Sequence, residues 1–174
     1  MLEIYKKRKI IVKYFPFVVV GCIINKKDKI LLVQEGQIEP GKWNQPAGWL
    51  EKYENPIKAA PREAEEETGF KVKVTSFLGV YSLDRRRVKN WLGVQPKDLH
   101  VVKLIFLAKI IGKNKDYEKI KEISQIKWFN LSEIKKLHQN KLLRDPDIIA
   151  EAEDYFAGRG HDLKTVHHNK FVMK

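Results

Sequence analysis

The stretch GWLEKYENPIKAAPREAEEETGF, Gly48 to Phe70, decides how this chain is read. Its second half is rich in Ala and Glu, both strong helix formers, and predicts a helix closed by Gly69 as the left-handed terminal residue. At about 100° per residue, Glu63, Glu66 and Glu67 share an arc of roughly 100°, while Glu65 points the other way. Like charges three and four residues apart disfavour an isolated helix by about 0.2–0.5 kcal/mol per pair, so a fold that gathers them invites a cation. Hard oxygen donors suit Mg2+, or Mn2+ in its place, ions that also hold waters and substrate phosphates. Acidic helix faces are ordinarily just solvated, and the spacing upstream is what favours the chemical reading.

Working outward, Asn55 is placed to cap a helix whose first residue is Pro56. Pro61 would then lie in the helix interior, where a missing N–H and a ring clash cost about 3 kcal/mol. Two alternatives stand: a kink near Ile57 to Pro61, or a separate turn over Asn55 to Ala60 with the acidic helix starting at Pro61. Both keep the carboxylate arc, and both unsettle the geometry between Glu54 and Arg62.

Gly48, five residues, Glu54, seven residues, Arg62-Glu63, then Ala64 through Phe70 matches the Nudix box at every constrained position. The chain resembles the Nudix hydrolases. The resemblance implies an α/β (α+β) fold, a mixed β-sheet sandwiched between helices, with the box as a loop-helix-loop unit that binds divalent metal. It implies cleavage of a diphosphate linkage. Carried over by position, it implies Glu63, Glu66, Glu67 and the Gly48 carbonyl as metal ligands, and Arg62 and Glu54 as the residues bracing them. The run Trp43 to Gly48 is similar to the segment opening the box in a subgroup of nucleotide and thiamine-pathway pyrophosphate phosphatases, with Trp49 where that subgroup often has His.

A chain of 174 residues with 43% hydrophobic and 32% charged residues suits one globular domain, read as residues 1–160 with a tail over 161–174. The longest apolar run, Phe15 to Ile24, is too short to span a bilayer, and no signal peptide is evident. The single cysteine, Cys22, excludes an internal disulfide, reads as a core residue in an apolar strand, and makes the cytoplasm the simplest compartment. The net charge of +12 favours phosphate-bearing ligands but no nucleic-acid-binding motif accompanies it, so nucleic acid is not an expected partner. The state of assembly, monomer or homodimer, is open.

Along the chain, residues 1–14 read as a basic edge strand, and Phe17 to Ile24 with Lys29 to Gln34 as a hairpin. Gly36 to Ala47 reads as a turn-rich loop. Lys71 to Leu83 reads as a strand with Val72, Val74, Phe77 and Val80 as core positions. The long basic connection Asp84 to Asp98 follows, then a strand from His100 to Ile111 that sets His100 and Lys103 toward the substrate side. A last strand ends at Trp128-Phe129, before a short helix capped by Asn130 and Glu133 and another after Asp145-Pro146.

The expected chemistry is Mg2+-dependent hydrolysis of a pyrophosphate bond in a nucleoside di- or triphosphate or related organic pyrophosphate. The general base is expected to be Glu63 or Glu122, with Glu118 a lesser candidate. Trp43, Trp49, Arg85, Arg87 and Trp91 are expected to read the substrate. ADP-ribose, an oxidised nucleoside triphosphate or a dinucleoside polyphosphate are alternative substrates. A non-catalytic module holding RNA or another polyanion is the alternative of a different class.

Overall fold

The computed structural model describes residues 16–37, 39–85 and 99–169. The proposed basic edge strand over residues 1–14 lies outside them, as do Arg87 and Trp91 of the long basic connection.

The hub is β1 (Phe17–Lys26), an apolar run that pairs on both sides. It runs parallel to β6 (Leu99–Lys113) and antiparallel to β2 (Lys29–Glu35) and to the short β4 (Ala47–Trp49). Beyond these, β5 (Phe70–Arg85) closes one edge against β6, and β3 (Trp43–Asn44) and β7 (Ile123–Phe129) both pair with β2. The β1–β2 turn is tighter than the sequence suggested, only Lys27 and Asp28, with Lys27 in the left-handed region at φ 56°.

Strand alternation sends Val20, Cys22, Ile24 and Leu31 to one face, where α1 (Pro56–Thr68) lies. The helix meets the sheet with Ala59, Ala60 and Ala64, all fully buried, and these small side chains bring its backbone close. Ile23, Ile30, Leu32 and Ile105 face the other way, against α2 (Leu131–Gln139) and α3 (Asp147–Phe156). The expected mixed sheet between helices is thus what the chain forms. Cys22 is fully buried, and burial pushes its thiol up to about 12, which suits a core residue. No helix among the described residues is long and apolar enough to cross a membrane.

Two expectations need correction. The helix α1 passes through Pro61 without a break, so the ligand helix does not restart there. Asn55 caps it as expected, its Oδ1 accepting from the Ile57 N–H at 2.9 Å, with Pro56 in the first turn. In β5, Val80 is 60% exposed and Leu78 takes the core position at 3%. Bulges between Val74 and Ser76 and between Phe77 and Gly79 shift the register, so simple alternation assigns the wrong face beyond Val74. The helix expected after Asp145-Pro146 is α3, with Pro146 at its N-terminus, and the Asp145 carboxylate lies near Lys103. The chain after Gly160 is also tied back, because Phe77 and His161 exchange backbone hydrogen bonds of 2.9 and 2.7 Å.

Candidate active site

The box delivers its residues to one cavity of about 250 Å3. Glu63, Glu66 and Glu67 line it from α1, with Gly48 and Trp49 from β4. Glu65 points elsewhere, accepting from the Asn114 side chain at 3.0 Å, as the 100° periodicity requires.

Arg62 holds this wall together. Its Nε and Nη2 reach the two carboxylate oxygens of Glu54, each at 2.8 Å, in a bidentate fork. Its Nη1 donates to Glu63 at 2.7 Å and more weakly to Glu66, and its Nη2 also approaches the Trp49 carbonyl at 3.3 Å. The Glu54 to Arg62 geometry therefore survives the proline in the helix. Hydrogen bonds from Arg62 hold Glu54 below the usual carboxylate range, and those from Glu54 raise Arg62 further above its own.

Glu67 is the most enclosed of the three. Burial pushes its carboxyl well up, only partly opposed by the Ala47 N–H, which donates to it at 3.0 Å. Burial also raises Glu63, against the pull of Arg62. Gly48 is constrained by the same group: a methyl on its Cα would collide with the Glu63 carboxylate. At the other end of the box Gly69 sits at φ 71° against the ring of Tyr117, whose hydroxyl donates to the Glu67 carbonyl at 2.8 Å. A side chain there would be strained in backbone and in contact.

Of the remaining predicted residues, Glu122 lines the cavity, exposed, with its carbonyl accepting from Gly36 N–H at 2.6 Å. Glu118 is exposed and is not among the lining residues. Trp49 lines the cavity edge-on to Phe17, ring centroids 5.1 Å apart. Trp43 does not: it is 5% exposed, packed against Phe129 at 4.8 Å, and belongs to the core. Arg85 ends β5, its side chain beyond description. Lys103 lines the cavity, while His100 pairs with the Ser82 hydroxyl at 2.6 Å away from it.

Four cavity residues escaped sequence reading: Glu35, Asn44, Arg144 and Asp145. Glu35 and Arg144 form an ion pair of 2.6 Å between residues 109 apart in sequence. A bulge in the β2–β7 pairing falls between Gln34 and Glu35. No local pattern announces such a pair.

These groups could hold a divalent cation: several carboxylates and a backbone carbonyl offer hard oxygen donors, and the missing Gly48 side chain leaves the room a Glu63 carboxylate needs. Among the described residues no three acidic or imidazole groups are already gathered as a ligand set.

Comparison with known proteins agrees with the box. The family described as the NUDIX domain matches residues 15–151, and the chain belongs to that family. It is a Nudix-type hydrolase acting on pyrophosphate bonds. The phosphatase NudJ of Escherichia coli (strain K12) is 27% identical over 151 residues, 87% of this chain and 90% of that one. A NUDIX hydrolase from Nitrosomonas europaea superposes with a TM-score of 0.76 at 28% identity, covering 89% of this chain and 98% of the other. A UDP-X diphosphatase, at 23% identity and a TM-score of 0.65 over 92% of this chain and 72% of its own, shares the fold.

Proposed function

We propose that this chain is a Mg2+-dependent hydrolase that cleaves the pyrophosphate bond of a nucleoside di- or triphosphate or a related small organic pyrophosphate. The observation that carries the reading is the convergence of Glu63, Glu66, Glu67 and Gly48 on one cavity, braced by the Arg62–Glu54 fork.

Glu63, Glu66, Glu67 and the Gly48 carbonyl would hold the ion. When bound, Mg2+ supplies charge neutralisation at the phosphates and lowers the pKa of water. The residues' own contributions follow from their environments. Arg62 fixes the rotamers of Glu63 and Glu66, so the ligand oxygens need little reordering. Glu63, raised by burial yet held beside Arg62, is the first choice of proton acceptor, and Glu122, exposed on the cavity lining, is the second. Trp49 offers a partly open ring beside Val19 and Val101, a surface for a flat heterocycle. Mn2+ would satisfy the same donors. A cytoplasmic location suits the one buried cysteine.

Support also comes from the relatives whose names are phosphatase NudJ and NUDIX hydrolase. The test is a product screen over nucleoside di- and triphosphates, ADP-ribose and single-ring organic pyrophosphates with Mg2+ and Mn2+, with Glu67→Gln as the blank. Turnover of at least one compound, lost in the blank, is expected. Equal rates in both proteins would sink the metal-site reading, and tight RNA binding indifferent to EDTA would favour the non-catalytic module.

A further inference from the structure

Two cationic side chains line the cavity among the described residues, Lys103 and Arg144, and they differ in availability. The Lys103 ammonium, its side chain 3% exposed, is enclosed by Asp147 at 3.0 Å, Glu151 at 3.3 Å and Asp145 at 3.7 Å. Arg144 is also paired, but only in part. Its Nη1 donates to Glu35 at 2.6 Å, and its Nε approaches Glu39 at 3.4 Å without a hydrogen bond. The second terminal nitrogen, Nη2, takes no hydrogen-bond partner among the described residues.

The backbone beneath Arg144 is pinned. Its N–H donates to the Trp43 carbonyl at 2.9 Å, and Trp43 N–H to the Leu142 carbonyl at 2.8 Å, with the buried Trp43 ring as anchor. Glu35, 6% exposed at its side chain, holds the guanidinium from β2. A largely buried ion pair gains little stability over apolar residues of similar size, so its place on the wall of a reaction cavity calls for a chemical use. Glu63, Glu66 and Glu67 line the same cavity and repel a pyrophosphate, so an anion that enters it needs a positive group among the lining residues. A planar guanidinium held by a carboxylate at one terminal nitrogen keeps N–H groups on its other terminal nitrogen for phosphate oxygens.

We propose that Arg144 is a phosphate-binding residue of this cavity and that Glu35 is its positioning residue. The proposal rests on the pyrophosphatase reading for its substrate but adds a site outside the box. Arg144 holds phosphate oxygens from outside the box, and so recognises the pyrophosphate group independently of the ion.

The experiment is calorimetric titration of the full chain with inorganic pyrophosphate in EDTA, so that no divalent ion contributes. Arg144→Ala is expected to weaken binding about tenfold or more, and Arg144→Lys about fivefold, because the charge stays and the fork is lost. Glu35→Gln is expected to weaken it about threefold, and the double variant Glu35→Gln/Arg144→Ala no more than Arg144→Ala alone, since a positioning residue acts only through its partner. With Mg2+ and a hydrolysed substrate, KM should rise by the same factors. Unchanged affinity in Arg144→Lys, or no measurable wild-type binding, overturns the proposal; the lysine variant decides the matter if the alanine variant does not fold. Arg144-dependent binding without turnover of any pyrophosphate compound would instead overturn the proposed activity and leave this site standing.

Discussion

Arg62 and Lys103 each sit among three carboxylates, yet the two clusters behave as opposites. Around Arg62 the side chains of Glu54, Glu63 and Glu66 remain 19%, 13% and 53% exposed, on the wall of an open cavity. Around Lys103, Asp145, Asp147 and Glu151 are 8%, 11% and 0% exposed, between α3 and the sheet. In the first, water and a metal ion can join Arg62 as partners of the acids. In the second the charges are packed mainly against one another, although Lys103 and Asp145 also border the cavity. Burial alone would lower Lys103, but Glu151, Asp147 and Asp145 outweigh it and hold the ammonium charged. Burial, only partly opposed by Lys103, pushes Glu151 up to about 8, far above the ordinary carboxylate range. The same composition makes a reactive wall where the acids stay open to solvent and a structural clamp where they are largely buried.

The largest expected effect comes from removing the enclosed cation. Lys103→Met leaves three buried acids without their charge partner and should lower unfolding free energy by about 3–5 kcal/mol in chemical denaturation. A loss below about 1 kcal/mol would show that the acids find water and that the clamp is not closed.

Next is the open cluster's neighbour, Glu67. Glu67→Gln should cut turnover about a hundredfold or more while leaving the melting temperature equal or higher, since a buried carboxylate becomes neutral. Loss of fold and activity together would place Glu67 with the structural cluster instead.

Glu151→Gln sharpens the pH side of the comparison. Folding raises Glu151 to about 8, whereas the unfolded chain ionises it at its ordinary value. Stability from its burial is thus complete at low pH and declines as pH rises through that window, by at most about 1.4 kcal/mol per unit. The glutamine variant should flatten this decline in thermal melts between pH 5 and 8. An unchanged slope would assign the titration to another group.

The smallest effect is expected at Pro61. Pro61→Ala restores a donor to the Ile57 carbonyl inside α1 and should raise stability by about 1 kcal/mol, without altering KM. A change in KM would mean that the proline sets the Glu54 to Arg62 geometry.

The box was legible because its constraints are local. Helical periodicity alone separates Glu65 from the other three glutamates, and the glycine demands at Gly48 and Gly69 belong to a close approach and a backbone angle. The hairpin of β1 and β2 and the capping box at Asn130 and Glu133 were legible for the same reason. Val80 was misplaced because a bulge is a register event between two strands, invisible in either alone. Trp43 read as a stacking platform because a sequence shows an aromatic ring but not which side of a sheet it faces.

What the sequence determined by itself is the reaction wall, since residues Gly48 to Phe70 lie close along the chain and one helix brings them together. What only the tertiary structure decided is the rest of the cavity. Glu35 meets Arg144 and Lys103 meets Glu151 across 109 and 48 residues, pairings made by strand order and helix packing. Contacts that distant leave no periodicity to read, because the chain between them is free to vary until the sheet brings its ends together.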